Sequence, residues 1–213
     1  MRKLFRLVVV LSVLTPRAFG ADDIKVEPLN QPAPADVAEV IRGELQPTGI
    51  RVLSGTEPLV ELWFRKSIPV VDGPPGMARS YPKLPDTALL GAARVVGNMK
   101  DNRDHAFPKG VYTIRHGLQP QDGNHVGSSE FSDFALFLKA AADTTVQGKF
   151  ENPRAMIMQS LDDGGAGHPI VFAMLEPSDG QLKVERNSEN RWVLHTRAGD
   201  SALAIVIVGV YEH

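Results

Sequence analysis

The 213-residue chain contains no cysteine. That excludes disulfides, thiol nucleophiles, thiolate zinc centres and blue-copper sites, whose geometry needs a cysteine sulfur. Long apolar runs are also lacking. The one near the start, residues 7–14, is too short to cross a hydrocarbon core of about 30 Å, and no later segment approaches that length. Charge of one sign is not in excess, with 23 Lys and Arg against 25 Asp and Glu. No basic stripe with interleaved aromatics exists, so nucleic acid is not an expected partner. Catalytic signatures are equally sparse. Gly127-Ser128-Ser129 lacks both the closing glycine and the strand-to-helix setting of a nucleophile elbow. No His-Glu-x-x-His run occurs. The glycine-rich residues 163–167 lead into a strand with no Lys-Ser/Thr after them, so they are not a phosphate loop. There is no internal repeat and no low-complexity segment.

The first twenty residues have the three-part pattern of a secretory signal. Residues 1–6 carry three positive charges, an apolar run follows, and Ala18-Phe19-Gly20 before Ala21 is a small-x-small cleavage site. The expected mature chain is a soluble exported protein, periplasmic or secreted, with no cysteine to take an acyl chain. Residues 21–35 are proline-dotted (Pro28, Pro32, Pro34) and read as an extended leader. Residues 36–213 suit one domain large enough to bury a core without disulfides.

Within that domain, Asp36 stands three residues before Glu39, a capping-box spacing, and Val37, Val40, Ile41 and Leu45 follow at helical intervals. Gly43 and Pro47 limit this helix near residue 46. A hairpin is expected from residues 49–53 and 59–70 around a loop of about five residues. Its second strand points Val60, Leu62 and Phe64 one way and Glu61, Trp63 and Arg65 the other. Residues 71–85 form a long Pro- and Gly-rich segment of the kind often tied to function. Residues 89–96 return to strand, and 97–109 read as a charged connection. Asn152-Pro153 opens a second short helix. From residue 170 onward, short strands alternate with turns. The last, residues 202–210, is apolar on both faces and suits a central strand. About eight short strands with turns between them give a mainly β fold, an antiparallel sandwich of jelly-roll or immunoglobulin type with one or two short peripheral helices.

The densest set of chemistry-bearing side chains lies between two strands, residues 110–118 and 133–139. The intervening loop carries Gln119, Gln121, Asp122, Asn124, His125, Ser128, Ser129, Glu130 and Asp133. An imidazole with carboxylates is a fair ligand set for a divalent metal, and loops at the mouth of a sandwich are where sites are usually built. Read as structure alone, Asp122-Gly123-Asn124 is a turn, and Asp133 caps its strand or pairs with Arg115. His116, on an otherwise apolar strand face, reads as a core histidine bonded to a backbone carbonyl. His168 precedes Pro169 at a strand entrance, and His195 reads as a surface residue. Trp63 and Trp192, on outward strand faces, are of a type that stacks on sugars but packs more often within sheets. Ser128, His125 and Asp133 can be drawn as a triad, an arrangement any polar loop offers.

Several of these runs resemble a set of uncharacterised exported bacterial proteins. They are Gly110-Val111-Tyr112-Thr113-Ile114-Arg115, then Gln119-Pro120-x-Asp122-Gly123-x-His125-x-Gly127 and Asp133-Phe134, with Glu61-Leu62-Trp63-Phe64-Arg65-Lys66 and His168-Pro169. The resemblance implies a small exported β-sandwich and no established activity. The expected function is a binding or accessory module using the loop 119–133, with Gln119, Asp122, His125 and Asp133 as ligand-binding residues. Its partner is a small ligand or a protein, and no cofactor is required. The alternative is a metal-dependent hydrolase with His125, Asp122 and His168 on a divalent ion and Glu130 or Glu61 as base.

Overall fold

Alternation of side chains across pleated strands sets nearly all of the architecture. The computed structural model describes residues 23–72, 79–102, 104–119, 130–147, 153–159 and 169–209. The elements run β1 (Ile24–Leu29), α1 (Glu39–Arg42), β2 (Gly49–Ser54), β3 (Glu57–Phe64), β4 (Leu89–Val95), β5 (Met99–Lys100), β6 (Ala106–Phe107), β7 (Gly110–Leu118), β8 (Asp133–Lys139), α2 (Pro153–Gln159), β9 (Val171–Ala173), β10 (Lys183–Arg186), β11 (Trp192–Ala198) and β12 (Ser201–Val208). Seven strands form one sheet in the order β1-β2-β3-β4-β7-β8-β9, three form a second in the order β10-β11-β12, and β5-β6 is a small hairpin. Each of these pairings is antiparallel.

The mainly β, antiparallel architecture expected from the sequence is the one that forms. The large sheet is curled into a half-barrel, an arrangement compatible with a β-sandwich. The small sheet joins it at one edge through a bridge between Met174 and Ile205, where Leu175 N–H also donates to the Ala204 carbonyl at 2.9 Å. At the other edge β1 and β10 are in contact.

The central core fills the space between the sheets. Val60, Leu62 and Phe64 of β3 and Tyr112 and Ile114 of β7 meet Leu194, Leu203 and Ile205 of the small sheet. Phe107, Tyr112, Phe137 and Phe172 pack tilted or edge-on, with centroids from 5.0 to 6.4 Å apart, the geometry that ring quadrupoles favour.

The outer face of the large sheet is covered as well. Trp63 and Leu89 pack there with Leu29, Val37, Ile41 and Leu45. Trp63 is 1 % exposed and its indole N–H donates to the Gln31 carbonyl at 2.8 Å. The outward Trp63 expected from alternation is therefore a core residue, because the N-terminal segment and α1 lie over that face. Within the segment 21–35, Ile24–Leu29 is a strand of the large sheet and pairs with β2 residue by residue. A third cluster joins Phe134, Leu136 and Leu138 of β8 to Met156 of α2 and to Val193, Ala204 and Val206. Phe134, Leu136 and Leu138 thus face this cluster, while Ala135 and Phe137 fill the central core. Strand β8 is buried on both sides.

Four local expectations change, the first being that the strand expected over 59–70 ends at Phe64. Helix α1 is four residues long, its N-cap is Ala38, and no side chain caps it; the Asp36 capping box does not form. What holds this segment is burial of Val37, Ile41 and Leu45, while Val40 is exposed. The turn between β2 and β3 is Gly55-Thr56, shorter than expected, with Gly55 at φ 60°, where a glycine carries no Cβ penalty. The charged connection at 97–109 holds the β5–β6 hairpin.

Candidate functional site

The loop-bearing end of the large sheet is organised by a buried ionic cluster. Alternation along β7 sends Arg115 to the outer face and His116 toward the interior, and both side chains are wholly buried. In the β7–β8 register Leu118 stands opposite Asp133 and His116 opposite Ala135. Residues directly opposite share a face, so Asp133 lies on the His116 side. His116 Nδ1 is 2.8 Å from the Pro85 carbonyl oxygen, and Nε2 is 2.9 Å from Asp133 Oδ1. A carbonyl only accepts, so Nδ1 carries a proton.

Asp133 takes three further donors. Its Oδ2 accepts from the Ser80 backbone N–H at 3.0 Å and from the Ser132 hydroxyl at 2.6 Å. Its Oδ1 lies 3.5 Å from Arg79 Nη2, which also donates to the Leu84 carbonyl at 3.0 Å. Burial pushes the Asp133 carboxyl up. The hydrogen bonds from His116 and Ser132 and the charges of His116 and Arg79 outweigh that, and hold it below the usual carboxylate range. Both ring nitrogens of His116 are thus engaged, one by the Pro85 carbonyl and one by the Asp133 carboxyl. Asp86 beside it is pushed upward by burial, against the pull of the His116 charge and the Thr87 N–H. Tyr81 ties the same segment to the small sheet: its hydroxyl oxygen accepts the Ala204 N–H at 2.8 Å, and burial pushes its phenol up.

Of the residues expected at the site, the structure places two. Asp133 is the hub of this cluster. Gln119 stands at the start of the loop, where its backbone N–H donates to the Ser132 carbonyl at 2.9 Å and closes the loop base. Asp122, His125 and His168 lie outside the described residues. Among the described residues no group of three or more His, Asp or Glu could hold a metal ion. His116 is the carbonyl-bonded core histidine expected. Of the two structural readings of Asp133, a strand cap or a pair with Arg115, the pair does not form. Arg115 faces the other side of β7 and takes Asp143 instead, with Nε 2.6 Å from Oδ2 and Nη2 2.8 Å from Oδ1.

The other candidate bases are internally engaged. Glu61 is 3 % exposed and accepts from Arg51 at 2.8 Å and from Arg94 at 2.6 Å, so its charge is neutralised from both sides. Glu130 accepts from Arg191 at 2.6 Å. His195, expected on the surface, is buried: its Nδ1 is 2.8 Å from Ser178 Oγ and its Nε2 is 3.0 Å from Glu185. That row has the hydroxyl–imidazole–carboxylate order of a nucleophilic relay. Both its ends are exposed, and Glu185 is shared with Lys183 at 2.9 Å.

A cleft of about 320 Å³ opens between the edges of the two sheets. Ile50, Leu62, Phe64 and Leu182 give it apolar walls, and Thr48, Thr196 and Arg197 give it polar ones. Sequence reading missed it because its walls come from strands far apart in the chain and no motif spans them. In the structure Leu182, a large apolar side chain, is left 43 % exposed at the rim. Among the described residues no helix is long and apolar enough to cross a membrane. Comparison with protein-family models, with curated proteins and with solved structures gave no match.

Proposed function

We propose that the chain is an exported, soluble binding or accessory module, periplasmic or secreted, whose recognition face is the sheet end bearing the loop 119–133. One observation supports this reading most. The two segments singled out in the sequence, 71–85 and 119–133, are tied together at one carboxylate, since Arg79 and Ser80 both bond Asp133 where the loop rejoins β8. A buried, well-paired anchor at the point where a polar loop rejoins its strand suits recognition. Among the described residues both His116 nitrogens and both Asp133 oxygens already have partners, which suits holding these segments in place. Asp133 is therefore a positioning residue, and contact with a ligand falls to Gln119 and to the loop beyond it.

The test is elemental analysis of the purified mature protein beside His125→Ala, joined to a thermal-shift screen of small organic ligands. Neither sample is expected to hold stoichiometric metal, and a screening hit is expected to lose most of its shift in Gln119→Ala. Near-stoichiometric zinc, copper or iron in the parent, lost in the variant, would replace this reading with the metal-dependent hydrolase, with His125, Asp122 and His168 as ligands. Covalent labelling of Ser178 by a fluorophosphonate would overturn it in favour of a serine hydrolase.

A further inference from the structure

The cleft between the sheets has the size and the lining of a ligand site, and its charge is one-sided. Its volume of about 320 Å³ lies at the lower end of the range for small-molecule sites, about 300–1,000 Å³. Ile50, Leu62, Phe64 and Leu182 supply the apolar part, so the body of the ligand is a short chain or single ring rather than a sugar. The polar end is set by Arg197. Arg51, Arg65, Arg79, Arg94, Arg115 and Arg191 each stand within ion-pair distance of a carboxylate. Arg197 does not. Its guanidinium is held by backbone carbonyls alone, those of Gly199 at 3.4 Å, Asp179 at 3.3 Å and Asp200 at 2.6 Å. These contacts fix the fork without neutralising it, and a guanidinium so fixed is prepared to receive a carboxylate. Gly180 serves the same arrangement. A Cβ there would lie 2.8 Å from Arg197 Cγ and 2.9 Å from Nη1, so the absence of a side chain lets the arginine lie flat along the cleft wall.

We propose that this cleft binds a small amphipathic monocarboxylate, its apolar body between Phe64 and Leu182 and its carboxylate on Arg197. The site is separate from the loop 119–133, so its failure would leave the reading of that loop untouched.

The experiment is calorimetric titration of the mature protein with octanoate, with octylammonium as a probe of equal apolar body and opposite charge. Octanoate is expected to bind with Kd below about 1 mM, and octylammonium at least about tenfold more weakly. Arg197→Gln is expected to weaken octanoate about tenfold or more. Arg197→Lys, which keeps the charge but loses the fork, is expected to fall between. Should Arg197→Gln fail to fold, Thr48→Trp carries the test. Thr48 is exposed at the cleft mouth, so the indole is expected to block the cleft and abolish binding while the melting temperature stays near that of the parent. The proposal is overturned by no octanoate binding, by equal binding of the two probes, or by binding that survives Thr48→Trp.

Discussion

Asp133 gathers His116, Arg79, Ser80 and Ser132 on one buried carboxyl. Asp133→Asn would leave the buried Arg79 charge without its counterion and take a carboxylate acceptor from His116, Ser80 and Ser132, and breaking a buried pair in this way costs about 3–5 kcal/mol. The pH dependence follows from the lowered folded value of Asp133. A carboxyl held below its unfolded value of about 3.9 contributes fully above about pH 4, and that contribution is lost as pH falls through the folded value. Urea unfolding at pH 7 and at pH 3 is expected to show a large gap between parent and variant that narrows at the lower pH. An equal gap at both would sink the assignment. Asp86 has the opposite sign. Burial raises it, so its charged form costs stability at neutral pH and the cost disappears below the unfolded value. Asp86→Asn keeps an oxygen for the Thr87 N–H, now 2.9 Å from Asp86 Oδ1, and is expected to be at least as stable as the parent at pH 7. At this scale the sequence identified His116 as a core histidine and Asp133 as the residue closing the loop. It named the wrong partner, Arg115, because the choice between odd and even faces of β7 depends on a register that no short motif records.

Strands and their covering segments were legible to different degrees. The β7–β8 and β2–β3 hairpins follow from alternation and turn residues, both local signals. The second burial of the large sheet was not legible, because it depends on which segment returns to cover it. Trp63 shows the consequence. Trp63→Ala removes the centre of the outer cluster and the hydrogen bond to Gln31, and a loss of about 3–5 kcal/mol is expected for a buried tryptophan. A ligand-stacking tryptophan would instead leave stability nearly unchanged. Gly91 tests the same packing from the backbone. It stands opposite Phe64 in the β3–β4 pair, and a Cβ there would lie 2.3 Å from the Trp63 carbonyl oxygen. Gly91→Ala must therefore separate two central strands, and a destabilisation of about 1–3 kcal/mol is expected from chemical denaturation.

The two sheets share one core, and the fold stands or falls with it. Residues from β3, β7, β8, β11 and β12 interleave in the central cluster, so neither sheet keeps its apolar face covered alone. Unfolding is therefore expected as one cooperative transition, with near-ultraviolet signals from Trp63 and Trp192 coinciding with loss of strand signal. Separate transitions would show the small sheet to be an independent unit. The β class, the antiparallel connections, the absence of thiol chemistry and the position of the polar loop are all legible in the linear chain. Each of these rests on composition, on a period of two or on turn residues, which act over a few neighbours. Tertiary structure alone decided the curl of the seven-stranded sheet, the burial of Trp63, the His116–Asp133–Arg79 cluster and the cleft between Phe64 and Leu182. Those depend on strand order and register, which are set by how distant apolar faces close over one another and are encoded in no single stretch of the chain.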